Sequence, residues 1–191
     1  MVLAASVGAC ASLRETAAPA IQAPALISTP SGTVVLQPEP GLFASGQPAA
    51  EDWRAVADSG IRTVINLRPP GEMKERDERA EVDATGMRYI ELPIEGAAGI
   101  TPDNAARLLA ILRDTKGPVL VHCASGNRVG ALLALARAQE GASVETALSF
   151  GRSAGMKSAE SRVREVLGAP AATCAVEAGA GGSGTECAAG R

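Results

Sequence analysis

The run PVLVH at 118–122 is an unbroken apolar stretch that ends at His122, and a glycine-containing loop and a helix-like stretch follow it directly. A strand that faces water on one side alternates apolar and polar residues, whereas a strand buried on both faces does not. The run therefore predicts a buried strand of a parallel sheet. Because parallel strands need long crossovers, usually helical, this strand favours an α/β fold.

Extended and helical patterns alternate through the rest of the middle of the chain. Apolar and β-branched runs predict further strands over 33–38, 41–48, 61–68 and 87–94. Helical spacing predicts helices over 49–60, 72–86, 101–117, 128–140, 143–153 and 158–167. The helix over 72–86 carries so many charges that we expect it to face solvent. The alternation predicts an α/β domain over 31–168, with helices layered on a central sheet.

Composition excludes several classes of function. The formal net charge of -3 gives no basic face for a nucleic acid, so we expect no such partner. The four cysteines form no Cys-x2-Cys pair, and the chain has one histidine, so we expect neither a metal site nor a cofactor. Aromatic residues make up only 2%, so the core must consist of Val, Leu, Ile and Ala.

The two ends differ from the middle. Residues 1–30 contain Val7-Gly8-Ala9-Cys10, which resembles a bacterial lipoprotein cleavage box, followed by an Ala/Pro-rich linker. This predicts a lipid on Cys10 and a periplasmic or membrane-anchored protein; an ordinary terminus and a cytoplasmic protein are the alternative. Residues 169–191 are rich in Gly and Ala, which predicts disorder. Cys174 and Cys187 either pair in an oxidising compartment or are incidental.

The loop CASGNR after the buried strand is the strongest candidate for a site. Ligands of open α/β sheets bind beyond the carboxyl ends of strands, where amides at a helix N-terminus attract anions. Gly126 permits a backbone conformation that other residues resist, and Arg128 offers a planar fork for two anionic oxygens. Beside that arginine and the helix start, Cys123 is expected to favour the thiolate form. The loop therefore predicts a nucleophile facing an anion cradle.

These residues resemble a known group of enzymes. VHCASGNRVGALLAL is similar to the signature loop of cysteine-dependent phosphatases. Together with ASGQPAAEDWRAVADSGIRTVINLRPPGE, YIELPI and ITPDNAARLLAIL, it resembles a bacterial dual-specificity-phosphatase-like family, which includes the phosphatase-like domain found with beta-lactamase-fold hydrolases. The resemblance covers about residues 33–167. It implies a three-layer protein-tyrosine-phosphatase-like fold with a mostly parallel central sheet.

The resemblance also implies a chemistry and the residues that perform it. Cys123 would attack the phosphorus of a phosphomonoester, on a protein or a small molecule, and water would hydrolyse the phosphocysteine. His122 would orient the loop. The oxygens of the phosphoryl group would be held by Arg128 and by the backbone amides of Ala124, Ser125, Gly126 and Asn127.

The general acid has two candidates. Phosphatases of this type carry an Asp on the loop that precedes the long helix; here Glu95 is nearest to that place and would replace the Asp, with Asp103 as the second choice. A surface ion pair with Glu72 is the expected role of Arg68, although Arg68 could also point towards the loop.

Two departures from protein tyrosine phosphatases keep other functions open. Those enzymes have five residues between cysteine and arginine and a hydroxyl residue after the arginine; this chain has four, and then Val129. A Cys-x4-Arg loop is also typical of rhodanese domains, which carry a persulfide on the cysteine. A sulfurtransferase is therefore the first alternative, and an inactive domain that binds a phosphorylated ligand is the second.

Overall fold

The computed structural model describes residues 25–73 and 76–170. Cys10, Cys174 and Cys187, and the predictions made for them, lie outside these residues. The strands are β1 (Ala25–Ile27), β2 (Val35–Glu39), β3 (Leu42–Ser45), β4 (Thr63–Asn66), β5 (Arg88–Glu91) and β6 (Val119–His122). The helices are α1 (Asp52–Asp58), α2 (Glu78–Asp83), α3 (Pro102–Asp114), α4 (Asn127–Gln139), α5 (Val144–Ser153) and α6 (Glu160–Val166), with one 3₁₀ turn at Pro70–Glu72.

The six strands form one sheet in the order β1-β2-β3-β6-β4-β5. Strands β3, β6, β4 and β5 are parallel, while β1 and β2 extend the sheet in antiparallel fashion. All four residues of β6 are buried, as its unbroken apolar run predicts. The predicted α/β class with a mostly parallel sheet is confirmed. His122 lies level with Ser45 on one side and Asn66 on the other, so three strands end at the same edge.

Helices cover both faces of the sheet. Helices α3 to α6 pack on one face around Leu108, Leu132 and Val163. Helices α1 and α2 cover the other face, where the single tryptophan, Trp53, is fully buried beside Val56. Because β6 lies in the middle of the sheet, its apolar residues contribute alternately to the two cores: Val119 and Val121 to one, and Leu120 to the other.

A close contact between α4, α5 and the turn after α5 depends on glycine. An added Cβ on Gly130 would lie 2.4 Å from both the carbonyl oxygen of Gly151 and the amide nitrogen of Met156. Only glycine permits this approach of backbone to backbone. The contact brings the segment after α5 against the first turn of α4, which is where the candidate loop ends.

Two predictions about the elements need correction. The charged stretch over 72–86 is not one solvent-facing helix: its described part is a 3₁₀ turn and then the short helix α2, which begins after the N-cap Asp77. Glu78 on α2 is only 2% exposed and faces the core. In addition, β1 lies within the predicted linker, so the sheet begins before residue 31. No helix of the described residues is long and apolar enough to cross a membrane.

Candidate active site

The loop after β6 folds back on its own cysteine. Gly126 adopts a left-handed conformation with φ of 82°, which a side chain would disfavour, and α4 starts at the next residue. The Gly126 amide donates a hydrogen bond to Sγ of Cys123 at 3.2 Å. Cys123 is 1% exposed, so its sulfur lies at the bottom of the loop. The predicted arrangement of cysteine, glycine turn and helix start is present.

The segment after β3 supports the loop from beneath. Gln47 donates its backbone N–H to the carbonyl oxygen of Ala124 at 3.2 Å. Gly46 pairs with Ser125 in an isolated β-bridge, and a Cβ on Gly46 would lie 3.3 Å from the Ala124 oxygen. No neighbouring residue in the sequence explains the motif Gly46-Gln47-Pro48. Its contact with Ala124 and Ser125, in a loop far along the chain, does explain it.

Arg128 is held in place by three acceptor atoms, which belong to two residues. Its Nη1 donates to Oε1 of Glu72 at 3.0 Å and to the carbonyl oxygen of Ile94 at 2.7 Å, and its Nη2 donates to Oε2 of Glu72 at 2.7 Å. Burial alone would lower the pKa of Arg128, but Glu72 and the adjacent Cys123 raise it. The guanidinium is therefore charged, and its plane is fixed by a bidentate carboxylate.

Glu72 is a site residue that the sequence reasoning missed. The hydrogen bond from Arg128 is the main cause that lowers the pKa of Glu72, against a smaller effect of burial, and Arg68 lowers it further. The predicted pair of Arg68 and Glu72 is confirmed, with Nε and Oε2 3.3 Å apart. A carboxylate held between two arginines stays ionised and cannot supply a proton. Glu72 therefore positions Arg128 and is not the general acid.

A buried polar cluster lies behind the loop and consists of Gln47, Asn66, Glu78, Tyr89 and His122. The Tyr89 hydroxyl donates to Oε1 of Glu78 at 3.1 Å and accepts from Nδ2 of Asn66 at 2.8 Å. Gln47 donates its side-chain N–H to the other oxygen of Glu78. The cluster reaches the arginine pair as well, because Arg68 donates to Oε1 of Gln47 at 2.6 Å.

His122 contacts this cluster directly. Its Nε2 lies 2.8 Å from Oε1 of Glu78, a close contact rather than a well-aligned hydrogen bond. Its ring meets the Trp53 ring edge-on, with the centroids 5.8 Å apart. Burial would raise the pKa of Glu78, but His122, Gln47 and Tyr89 together lower it. The residue before Cys123 therefore lies against a buried carboxylate, and the loop-orienting role of His122 stays a prediction.

The two predicted acids lie in different places. Glu95 is exposed on the loop after Ile94, whose carbonyl Arg128 binds, and the next residues, Gly96 and Ala97, line the cavity beside Arg128. Asp103 is exposed in the first turn of α3, and neither Asp103 nor Glu95 itself lines that cavity. The structure therefore brings the Glu95 loop to the site and leaves Asp103 on the helix.

A cavity of about 330 Å³ opens beside the loop and is lined in part by Ser125, Asn127 and Arg128. Its far wall comes from the start of α6 and the turn before it. The Asn127 side chain joins the two walls: its Oδ1 accepts from the amides of Lys157 at 2.7 Å and Ala159 at 3.1 Å, and its Nδ2 donates to Ser158. The side chain of Asn127 is thereby held against the far wall, and its backbone amide stays with the loop.

This sheet order and loop define a protein of the protein-tyrosine-phosphatase-like fold. A candidate phosphatase of Neisseria meningitidis Z2491 superposes with a TM-score of 0.59 and 21% identity, over 68% of this chain and 96% of that one. A cysteine-to-serine form of Pseudomonas aeruginosa TpbA, in complex with pTyr, superposes with a TM-score of 0.52 and 24% identity, over 71% of this chain and 83% of that one.

The sequence comparison identifies the family itself. The family model of the beta-lactamase hydrolase-like protein, phosphatase-like domain, matches residues 38–140, and the chain belongs to this family. The predicted family is thereby confirmed. A beta-lactamase hydrolase-like protein of Xylella fastidiosa strain Temecula1 is 36% identical over 104 residues, and one of Agrobacterium fabrum is 31% identical over the same length. The match covers 52% of this chain and 24% of each relative.

Proposed function

We propose that this domain hydrolyses phosphomonoesters through a phosphocysteine at Cys123. The observation that carries the proposal is the loop geometry: a buried sulfur accepts the amide of Gly126 while Arg128 is fixed beside it as α4 begins. A thiolate at that place faces amides and a guanidinium, the groups that stabilise charge on the equatorial oxygens of a transferring phosphoryl group.

The proposed reaction has two steps. In the first step, the thiolate of Cys123 forms a bond to phosphorus, and the bond from phosphorus to the leaving oxygen breaks. Glu95, in its protonated form, gives its proton to that oxygen. In the second step, water attacks the phosphocysteine, the Glu95 carboxylate accepts the proton of the water, and the S–P bond breaks to restore the thiolate. Arg128 and the loop amides hold the non-bridging oxygens in both steps.

The test uses 4-nitrophenyl phosphate and three variants. Cys123→Ser should abolish phosphate release, because a serine hydroxyl at this place has no base to activate it. Glu95→Gln should lower kcat by about 10²–10⁴-fold, the usual contribution of a general acid. The matched control Asp103→Asn should leave kcat within about twofold. If the Asp103 variant loses activity and the Glu95 variant does not, the assignment of the acid is wrong.

A sulfurtransferase is the second candidate, because four residues separate Cys123 from Arg128. In that reaction thiosulfate would transfer its outer sulfur to the Cys123 thiolate, with release of sulfite, and cyanide would remove the sulfur as thiocyanate. Thiosulfate should leave the mass of Cys123 unchanged if the phosphatase proposal is right. A persulfide at Cys123 together with no release of phosphate would favour sulfur transfer. Binding of phosphate with neither phosphate release nor sulfur transfer would favour a domain that only binds a phosphorylated ligand.

A further inference from the structure

Arg162 is a second cation in the cavity beside the loop, and no step of the proposed reaction uses it. It lies on α6 and lines the cavity of about 330 Å³ together with Arg128 and Ser125. Its Nη1 pairs with Glu165 at 2.9 Å, but Glu165 is 70% exposed and such a pair on a helix surface is weak. Arg162 is therefore only loosely bound by its own helix.

The Nε of Arg162 has no hydrogen-bond acceptor among the described residues, although this atom is buried. A buried N–H without an acceptor is unfavourable, since the group has lost water and gained nothing in return. Because Nε itself does not face the open cavity, a ligand there would contact the terminal nitrogens of the planar guanidinium, whose fork suits a carboxylate or a phosphate.

The charges of the cavity also favour an anion. Three charged side chains line it, and these are Glu72, Arg128 and Arg162. Both carboxylate oxygens of Glu72 are engaged by Arg128, and Arg68 binds the same carboxylate from outside the cavity. The negative charge is therefore neutralised within the site, and Arg162 adds a positive charge that no described residue lining the cavity balances.

The position of Arg162 relative to the loop is fixed by hydrogen bonds. Asn127 in the loop binds the amides of Lys157 and Ala159, and α6 begins directly after them. The anion cradle and the start of α6, which carries Arg162, are thus held in a fixed position relative to each other. A cavity of this volume is at the lower end of the range for small-molecule sites, so one small ligand can contact both ends.

We propose that Arg162 binds a second anionic group of the substrate, so that the preferred substrates are small phosphomonoesters with a carboxylate or another phosphate near the scissile group. The proposal rests on the function proposed above for the Cys123 loop. It assigns to Arg162 the choice between substrates, whereas Cys123 and Arg128 perform the reaction.

The test measures binding by calorimetry, so that it does not depend on turnover. Inorganic phosphate occupies the cradle alone, while inorganic pyrophosphate can reach both cations. Arg162→Gln should weaken the binding of pyrophosphate by about tenfold or more, as expected for losing a charged hydrogen bond, and leave that of phosphate within about twofold. Arg162→Lys keeps the charge without the planar fork and should give an intermediate loss. The matched control Arg54→Gln, at an exposed position of α1 across the sheet, should change neither.

Turnover gives a second, independent readout. The ratio of kcat/KM for 3-carboxyphenyl phosphate to that for its neutral isostere, 3-carbamoylphenyl phosphate, should exceed one and should fall towards one in Arg162→Gln. Failure to hydrolyse any phosphomonoester would refute the proposed function and leave the binding test of the subsite standing. Equal weakening of phosphate and pyrophosphate would overturn the subsite, since Arg162 would then merely support the loop. Pyrophosphate binding that is unchanged in the Arg162 variants would also overturn the subsite.

Discussion

Replacing Glu78 by glutamine tests whether the buried polar cluster stabilises the domain. Glu78 is 2% exposed, and its two oxygens accept from Gln47 and Tyr89 and lie beside His122. Glutamine keeps the shape of the side chain but replaces one acceptor oxygen by an N–H₂ donor. The donor of Gln47 or that of Tyr89 then faces another donor.

The expected loss follows from the number of groups left without a partner. One unsatisfied buried polar group costs about 1–3 kcal/mol, and removal of one partner of a buried charge pair costs about 3–5 kcal/mol. Because glutamine retains one acceptor, we expect the free energy of unfolding to fall by about 1–3 kcal/mol at pH 7. Small domains are stable by about 5–15 kcal/mol, so the variant should fold and remain measurable.

The dependence on pH separates the charge from the shape of the side chain. The pKa of Glu78 is lowered in the folded protein from its ordinary value of 4.5. A lowered pKa means that the stabilisation is fully present above about 4.5 and is lost as the pH falls through the lower, folded value. The difference between wild type and Glu78→Gln should therefore be constant near neutral pH and should shrink below pH 4.5.

Urea denaturation followed by circular dichroism measures these differences. With a slope of about 1–3 kcal/mol per molar urea, the midpoint should fall by about 1 M at pH 7. Asp83→Asn, an exposed change on the same helix, is the control and should stay within about 0.5 kcal/mol of wild type. If the two variants are equally stable at pH 7, or if the difference for Glu78→Gln does not shrink in acid, the reasoning about this carboxylate is refuted.

Two further substitutions have clear expected outcomes. Gly130→Ala places a Cβ 2.4 Å from two backbone atoms and should lower the free energy of unfolding by about 1–3 kcal/mol or more. The control Gly71→Ala, at a position with open space, should have little effect in the same denaturation assay. Glu72→Gln should lower kcat/KM for 4-nitrophenyl phosphate by about tenfold, because Arg128 loses a charged bidentate partner; a rise would instead show that Glu72 competes with substrate.

The part of the site that is local in sequence could be predicted. The apolar run of β6, the glycine turn and Arg128 follow one another, so strand burial and backbone conformation alone indicate an anion cradle. The residues that support the loop could not be predicted in this way, because the residues they contact are distant in sequence. Gln47 contacts Ala124, and Glu78 contacts His122, through pairs that only the folded sheet brings together.

The fold shows the same division between local and distant causes. The apolar composition of a buried strand is enough to predict it. The three-residue strand β1, in contrast, is defined only by its pairing with β2, and the sequence around it is typical of a linker. On α2 the charge pattern indicates a solvent-facing helix, and it gives no sign that one carboxylate is balanced by partners inside the core. Sequence periodicity cannot distinguish a solvated glutamate from one that is buried with its partners.

The most direct test of the account is the capture of the covalent intermediate. Glu95→Gln protein should be mixed with 4-nitrophenyl phosphate, quenched rapidly in acid, digested and examined by mass spectrometry. The peptide that contains Cys123 should carry one phosphoryl group, and the modification should be absent from Cys123→Ser. Steady release of nitrophenol and phosphate with no phosphoryl group ever found on Cys123, or with the group on another residue, would contradict a phosphocysteine intermediate at Cys123.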